Sequence, residues 1–205
     1  MSVFRIVGKR HELGIAGLET YSTFGTGVVV APGRIATAAV NEIEPAVALT
    51  VDREQVSATI LNDKHVLPWE GAHPGGVALW IFSGDQQPVQ LAQSTDHIRK
   101  GSIVWVEAFV DNGRWSRMSR YIRRQPLATV KLQATVRERF SDQRLIVTDC
   151  KQFRGASGCA VFDQQNRLIG IGTNATSTGH DACIVATPIE FVNAMLQGES
   201  EEETA

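Results

Sequence analysis

Short apolar or alternating runs of residues, separated by turn signals, make up most of this chain. Pairs such as Pro32-Gly33 and Asn112-Gly113 lie between runs, and no helical periodicity separates consecutive ones. This spacing predicts antiparallel β-structure, arranged as a sandwich or as barrels, and argues against a parallel α/β sheet. The predicted strands include residues 28–30, 46–51, 77–82, 103–110, 145–147 and 168–171.

One helix is predicted near the end of the chain. Thr187 is a candidate N-cap, Pro188 suits the first helical position, and Glu190 completes a capping box three residues after the cap. Gly198 is predicted to end the helix. Between these signals, apolar residues recur at helical spacing and predict a buried stripe: Ile189, Val192, Met195 and Leu196.

The composition is that of an ordinary globular protein. Of 205 residues, 43% are hydrophobic, and 20 Lys and Arg against 22 Asp and Glu give a net charge of -2. This balance excludes an intrinsically disordered chain, and 3 cysteines are too few for a disulfide scaffold. Because no run reaches the roughly 18 apolar residues of a membrane span, we expect no transmembrane helix.

The cysteines and the N-terminal residues predict a cytoplasmic protein. Charged residues appear within the first ten positions, too early for the apolar core of a secretory signal. Cys150, Cys159 and Cys183 form no C-x-x-C pair and have no histidine nearby at metal-ligand spacing. We therefore predict reduced thiols in a reducing compartment, and we find no metal or cofactor motif in the sequence.

Three segments combine in an order that carries chemical information. They are FGTGVVVAPGRIATAAV at 24–40, GVAL at 76–79, and RGASGCAVFD at 154–163 with LIGIGT at 168–173. In the third segment, Ser157 lies between glycines on a predicted tight turn before a strand. Such a turn aims the backbone N–H groups of Gly155 and Ser157 at one point, which is the arrangement of an oxyanion hole.

In order and spacing, these segments resemble the trypsin-like serine peptidases, particularly their HtrA-type branch. That family has a G-[ST]-G run leading to T-A-A-H with the base histidine, then D-[hydrophobic]-A-L with the triad aspartate. G-x-S-G-x-P with the nucleophile follows. The resemblance implies an all-β fold with two six-stranded antiparallel β-barrels, a cleft between them and a C-terminal α-helix.

The resemblance also implies the organisation of the chain. An N-terminal segment precedes two barrels joined by a polar linker, and a glutamate-rich tail, predicted to be solvated, follows the helix. The predicted bounds are 1–19 for the segment, 20–93 and 100–187 for the barrels, 188–198 for the helix and 199–205 for the tail.

Two of the three triad positions depart from the family pattern. Val40 stands where the family has histidine, and Gly76 stands where it has aspartate, whereas Ser157 keeps its identity. A serine hydroxyl near neutral pH needs an adjacent base, and neither valine nor glycine supplies one. The sequence therefore predicts an inactive serine peptidase homologue, a pseudoprotease, with a vestigial nucleophile and a vestigial oxyanion hole at Gly155 and Ser157.

A serine hydrolase with an unconventional base stays open as an alternative. His65 and His73 lie in the predicted loop before Gly76, with His73 three residues from it, and His180 lies in the loop after Thr173. We interpret these histidines as surface residues. Cys159, two residues past Ser157, has no histidine adjacent in sequence, so we predict that it packs in a strand.

An arginine-rich segment after the Asn112-Gly113 turn is the main candidate binding surface outside the triad region. Its arginines suit carboxylates or phosphates and its aromatic residues suit stacking, although a solvated hairpin has the same composition. The near-neutral charge of the whole chain argues against nucleic acid. Its candidate residues are Arg114, Trp115, Arg117, Arg120, Tyr121, Arg123 and Arg124.

Lys151 is a candidate specificity residue. It precedes Ser157 by six residues, and the resemblance places that position at the base of the specificity pocket in some family members. A cation at the base of that pocket favours the binding of an acidic side chain in the pocket.

The leading hypothesis is a non-catalytic protein-binding regulator or scaffold that holds a partner, including an extended peptide segment, in the cleft or on a strand edge. The resemblance suggests a bacterial accessory protein, such as one of a CRISPR-associated defence system. Nucleic-acid binding through residues 114–124 is a further alternative. The partner and the oligomeric state do not follow from the sequence.

Overall fold

The computed structural model places most of the predicted β-structure. It describes residues 3–14, 17–38, 47–49, 55–56, 58–60, 76–82, 84–109, 129–140, 145–151, 156–175 and 183–202.

The N-terminal half forms one antiparallel sheet. Its strand order is β5-β4-β1-β2-β3-β7-β6, and the long β1–β2 hairpin is its centre. β1 lies in the segment that the sequence analysis placed ahead of the first barrel. The strands are β1 Val3–Gly14, β2 Gly17–Ala31, β3 Arg34–Ala38, β4 Val47–Leu49, β5 Gln55–Val56, β6 Ala58–Ile60 and β7 Val77–Phe82.

The two ends of this sheet are brought together by the chain itself. β5 pairs with β4 at one end of the sheet, and β6 pairs with β7 at the other. Only residue 57 separates β5 from β6 in sequence. The Cα atoms of Val56 and Ala58, at the two ends of the sheet, therefore lie at most about 7 Å apart.

The C-terminal half is a closed six-stranded barrel with the order β10-β13-β12-β11-β8-β9. Burial alternates in the middle of β9, where Ala134 and Val136 are buried while Gln133 and Arg137 are exposed. The predicted all-β class is confirmed. The strands are β8 Ile103–Phe109, β9 Thr129–Phe140, β10 Leu145–Lys151, β11 Ala160–Phe162, β12 Leu168–Ala175 and β13 Cys183–Pro188.

The helix α1 spans Ile189–Glu202 and confirms the predicted C-terminal helix. It begins one residue after Pro188 and continues through Gly198, so the predicted stop at that glycine was wrong. Gly198 is not among the glycines with positive φ, and a helix continues when its glycine stays in the right-handed region. Within the described residues, no helix is long and apolar enough to cross a membrane.

The segment between the two halves is ordered by backbone hydrogen bonds. Val89 N donates to Val29 O of β2 at 2.9 Å, and Ala92 N donates to Leu168 O of β12 at 3.0 Å. Leu168 N in turn donates to Gln90 O at 2.7 Å. The linker therefore bonds to a strand of each half, and one buried apolar cluster runs through both halves and the linker.

Asp163 organises the turn between β11 and β12. Its side chain is 2% exposed and accepts hydrogen bonds from Gln165 N and Arg167 N, both at 2.9 Å. The Arg167 guanidinium binds Asp163 Oδ2 through Nε at 2.8 Å and Nη2 at 2.7 Å. Burial alone raises the pKa of Asp163, but the hydrogen bonds from Arg167 outweigh burial and hold the pKa below its ordinary value.

We predict that Asp163→Asn lowers the free energy of unfolding at pH 7 and makes that free energy less dependent on pH in the acid range. A carboxyl whose pKa is lowered by folding stabilises the protein above its ordinary value of 3.8, and that stabilisation is lost as pH falls through the lower folded value. Hydrogen bonds to charged groups contribute about 1.5–3 kcal/mol, which sets the expected loss in the free energy of unfolding at pH 7. Urea titrations from pH 7 to pH 3 measure it.

Asp96→Asn is the matched control, because the Asp96 side chain is 84% exposed and reaches Arg139 only at 3.7 Å. We expect this variant to keep the acid dependence of the parent. If the stability of Asp163→Asn depends on acid pH as much as that of the parent, the assignment of a lowered pKa to Asp163 is contradicted.

Candidate active-site turn at Ser157

Ser157 lies on a tight turn between β10 and β11. The turn closes with Cys159 N donating to Ala156 O at 2.9 Å, and the Ser157 side chain is half-buried. Gly158 has φ of +82°, the left-handed region that favours glycine. The predicted tight turn is present, whereas Gly155, the other proposed oxyanion-hole residue, lies outside the described residues.

The C-terminal barrel holds one side of this turn. Gly158 N donates to Gly172 O at 2.6 Å, and Gly172 N donates to Cys159 O at 2.8 Å. Both bonds join the turn to β12, which follows β11 in sequence and lies beside it in the barrel.

The N-terminal sheet holds the other side through Thr26, which is fully buried. Thr26 N donates to Ser157 O at 2.7 Å, and Thr26 Oγ1 accepts a hydrogen bond from Phe109 N at 3.0 Å. Thr37 Oγ1 donates to Thr26 O at 2.6 Å. The backbone and side chain of one threonine in β2 therefore join the turn, β3 and β8.

Gly158 is pressed directly against this contact. A Cβ atom at Gly158 would overlap the carbonyl oxygen of Thr26 and crowd Thr37 Oγ1. Only glycine satisfies both the backbone conformation and the available space. The sequence analysis quoted Thr26 and Thr37 as parts of a motif but assigned them no role; their roles emerge only from the contact between the two halves.

The register of the N-terminal sheet places the proposed aspartate position next to this turn. β3 and β7 pair with Ala38 opposite Val77, and Gly76 directly precedes Val77. The preceding β3 residue, Thr37, is the one that contacts the Ser157 turn region. Gly76 thus lies at the end of the β3–β7 pair that adjoins the turn, and it carries no side chain. Val40, the proposed histidine position, lies outside the described residues.

Cys159 fills space that Gly172 leaves open. The Cys159 thiol is fully buried, and a Cβ atom at Gly172 would overlap its sulfur. Burial raises the pKa of Cys159 to about 12, so the thiol is neutral at physiological pH. This geometry favours packing over nucleophilic chemistry at Cys159.

The other two cysteines, Cys150 and Cys183, also lie in the C-terminal barrel and are buried. Burial, with a smaller contribution from the charge of Asp149, raises the pKa of Cys150. Arg137 Nη1 lies 3.1 Å from the sulfur of Cys183. Lys151, the candidate specificity residue, ends β10 opposite Cys183. Within the described part of the chain, no cluster of three or more His, Cys, Asp or Glu residues has the geometry of a metal site.

The structure places one histidine side chain in a defined setting, away from the Ser157 turn. His97 Nε2 lies 3.3 Å from Asp163 Oδ2, beyond the opposite end of β11 from Ser157. The remaining predicted site residues lie outside the described residues: His65, His73, His180, Arg114, Trp115, Arg117, Arg120, Tyr121, Arg123 and Arg124.

Beyond the turn, one edge of β12 has no strand partner among the described residues. β12 bonds to the turn and to β11 as far as Gly172, while its other edge pairs with β13 up to Ala175. Among the described residues, no strand pairs with 173–175 on the side of the turn. Backbone groups on such an edge can bond to an added extended chain.

Comparison with known proteins agrees with this architecture. Residues 25–171 match the model of a family described as the trypsin-like peptidase domain. No curated protein matches the chain in sequence.

Two solved structures are similar in fold. The serine endoprotease from Yersinia pestis has 16% identity and a TM-score of 0.66, over 96% of this chain and 62% of that one. The Rv3671c protease, in an inactive form, has 17% identity and a TM-score of 0.66, over 96% of this chain and 88% of that one. The chain therefore spans less than two thirds of the Yersinia pestis protease.

We predict that Gly158→Ala is far more destabilising than Gly101→Ala. Both glycines have positive φ, at +82° and +87°, but nothing lies within 4 Å of a Cβ atom at Gly101. Gly101→Ala should lower the free energy of unfolding only by the cost of holding a residue with a Cβ atom in the left-handed region, about 1–2 kcal/mol. Gly158→Ala must also move the Thr26 carbonyl. Urea unfolding measures both variants, and equal losses contradict the close contact.

We predict that Cys159 resists alkylation in the folded protein. With a pKa of about 12, the thiolate at pH 8 is on the order of one molecule in 10⁴. Iodoacetamide at pH 8, followed by peptide mass spectrometry, should leave Cys159 unmodified in buffer and modified in urea. Alkylation at similar rates in the two conditions contradicts the buried, neutral thiol.

Proposed function

Since this chain belongs to the family of trypsin-like peptidase domains, we propose that it is a member that binds protein segments without cleaving them. The observation that carries the proposal is Gly76. It directly precedes Val77, at the end of the β3–β7 pair where Ala38 and Val77 pair, and the sequence resemblance puts the triad carboxylate at this position.

The chemical argument concerns the activation of Ser157. Its hydroxyl needs a neighbouring base to remove its proton, and the base needs a partner that orients it. Val40 and Gly76 cannot accept a proton or orient an imidazole. Because triad members act as a unit, their loss typically lowers turnover by about 10⁶-fold.

Binding features accompany this loss. The turn at Ser157 is held by hydrogen bonds from both halves, and the edge of β12 beyond Gly172 is available beside it. An extended segment of a partner protein can add to that edge as a strand, with the main chain supplying affinity and side-chain pockets supplying specificity. A bound chain is then held instead of being cut.

The proposed biological role is that of a regulator or scaffold for a partner protein in the bacterial cytoplasm. An accessory role in a defence system, including a CRISPR-associated one, is the setting that we propose. Residues 114–124 offer arginines and aromatic side chains as a second contact region for the same partner.

Labelling with a fluorophosphonate probe tests the absence of an activated serine. We expect no labelling of Ser157 in the parent chain, with the intact mass measured after incubation at pH 7 to 9. Robust labelling that disappears in both Ser157→Ala and His73→Ala contradicts the proposal and supports a hydrolase with His73 as an unconventional base.

Restoring the triad tests whether the missing histidine and aspartate are the reason that Ser157 is not activated. We expect the double variant Val40→His with Gly76→Asp to gain probe labelling by at least tenfold over the parent. Adding Ser157→Ala to that variant is the control and should abolish the gain. If the double variant folds but remains unlabelled, the hypothesis that the site lacks only its base and its carboxylate is contradicted.

A further inference from the structure

Thr95, in the linker between the two halves, is fully buried and bonded from two directions. Its N–H and its hydroxyl donate to Glu190 Oε1 of α1, at 2.7 and 2.8 Å. Its carbonyl oxygen accepts a hydrogen bond from Arg139 Nη1 of β9 at 2.6 Å, and Arg139 Nη2 lies 3.2 Å from the hydroxyl. A cation and an anion from separate elements therefore meet on one linker residue.

This network differs from the capping box predicted from the sequence. Glu190 reaches out of the helix to the linker, and Asn193, one turn later, donates from Nδ2 to Ala92 O at 3.0 Å. α1 thus binds the linker at two successive points. In the described part of the chain, Arg139 Nε and Glu190 Oε2 are buried with no hydrogen-bond partner. Buried polar networks with incomplete pairing are sensitive to small displacements.

The linker that α1 holds is itself part of both halves. Val89 bonds to Val29 in β2, and Leu91 forms a parallel bridge with Leu168 at the start of β12. A displacement of the linker therefore acts on one strand of each half.

These two strands are the ones that hold the Ser157 turn. In β2, Thr26 lies three residues before Val29 and donates to Ser157 O. In β12, Gly172 lies four residues after Leu168 and bonds to Gly158 and Cys159. Each path from linker to turn is thus a few residues of a single hydrogen-bonded strand.

We propose that α1 is a latch: through Glu190 and Asn193 it fixes the linker, and the linker fixes the Ser157 turn through β2 and β12. Undocking α1 loosens the turn and the neighbouring edge of β12. By linkage, a partner that binds the ordered turn favours the docked helix. This inference deepens the proposed binding function, but its test needs neither a partner nor catalysis.

Hydrogen exchange at single amides tests the latch in the full chain. Glu190→Ala removes the acceptor of both Thr95 bonds, and we expect about tenfold faster exchange at the linker amides. The decisive readout is the amides of Thr26, Gly158 and Gly172, which should also exchange several-fold faster. The central β8–β9 pairs, Trp105 with Gln133 and Val106 with Leu132, are separated in sequence from Phe109 and Arg139 and serve as an internal reference that should not change.

Two further variants keep the experiment interpretable. Glu190→Gln keeps an acceptor oxygen and should restore most of the protection, which also covers the case in which Glu190→Ala fails to fold. Asp96→Ala removes an exposed charge beside Thr95 and should leave the turn amides unchanged. Acceleration confined to α1 and the linker, or equal acceleration at the β8–β9 reference, overturns the latch.

Discussion

The contact between Thr26 and the Ser157 turn is the constraint on which the rest of the site depends. A backbone bond of 2.7 Å joins the two halves there, and the close approach admits only glycine at 158. Because Thr26 also binds Thr37 and Phe109, the turn, β3 and β8 share one anchor. That anchor brings Thr37 of β3, which pairs with Ala78 of β7, into contact with the region of the turn.

The site combines a maintained framework with altered chemistry. Cys159 and Gly172 are complementary, since the sulfur occupies the space that a side chain at 172 would need. The turn itself is bonded on both sides. By contrast, Val40 and Gly76 stand where the resemblance puts the groups that activate a serine. The proposed function assigns this closely packed framework to recognition instead of hydrolysis.

Local pattern predicted the class of the fold well, and long-range contacts account for what it missed. The predicted strands leave out β9, although Val130, Leu132, Ala134 and Val136 alternate along it, and they leave out β1, whose charges, such as Lys9 and Arg10, obscure the strand. Glu190 fits a capping box by spacing, yet it binds Thr95, which is 95 residues away. Thr26 and Ser157 are likewise distant in sequence. Hydrophobic periodicity does not predict contacts between residues that are distant in sequence, because these contacts depend on tertiary packing.

Capture of peptides followed by identification of their masses tests the central claim most directly. The parent chain and Ser157→Ala are each incubated with a random extended-peptide library, washed and eluted into a mass spectrometer. Our account predicts that both proteins retain the same subset of peptides, all uncut, and that polar substitution along the 173–175 edge does not create cleavage products. Fragments that appear with the parent chain and are absent with Ser157→Ala would contradict it.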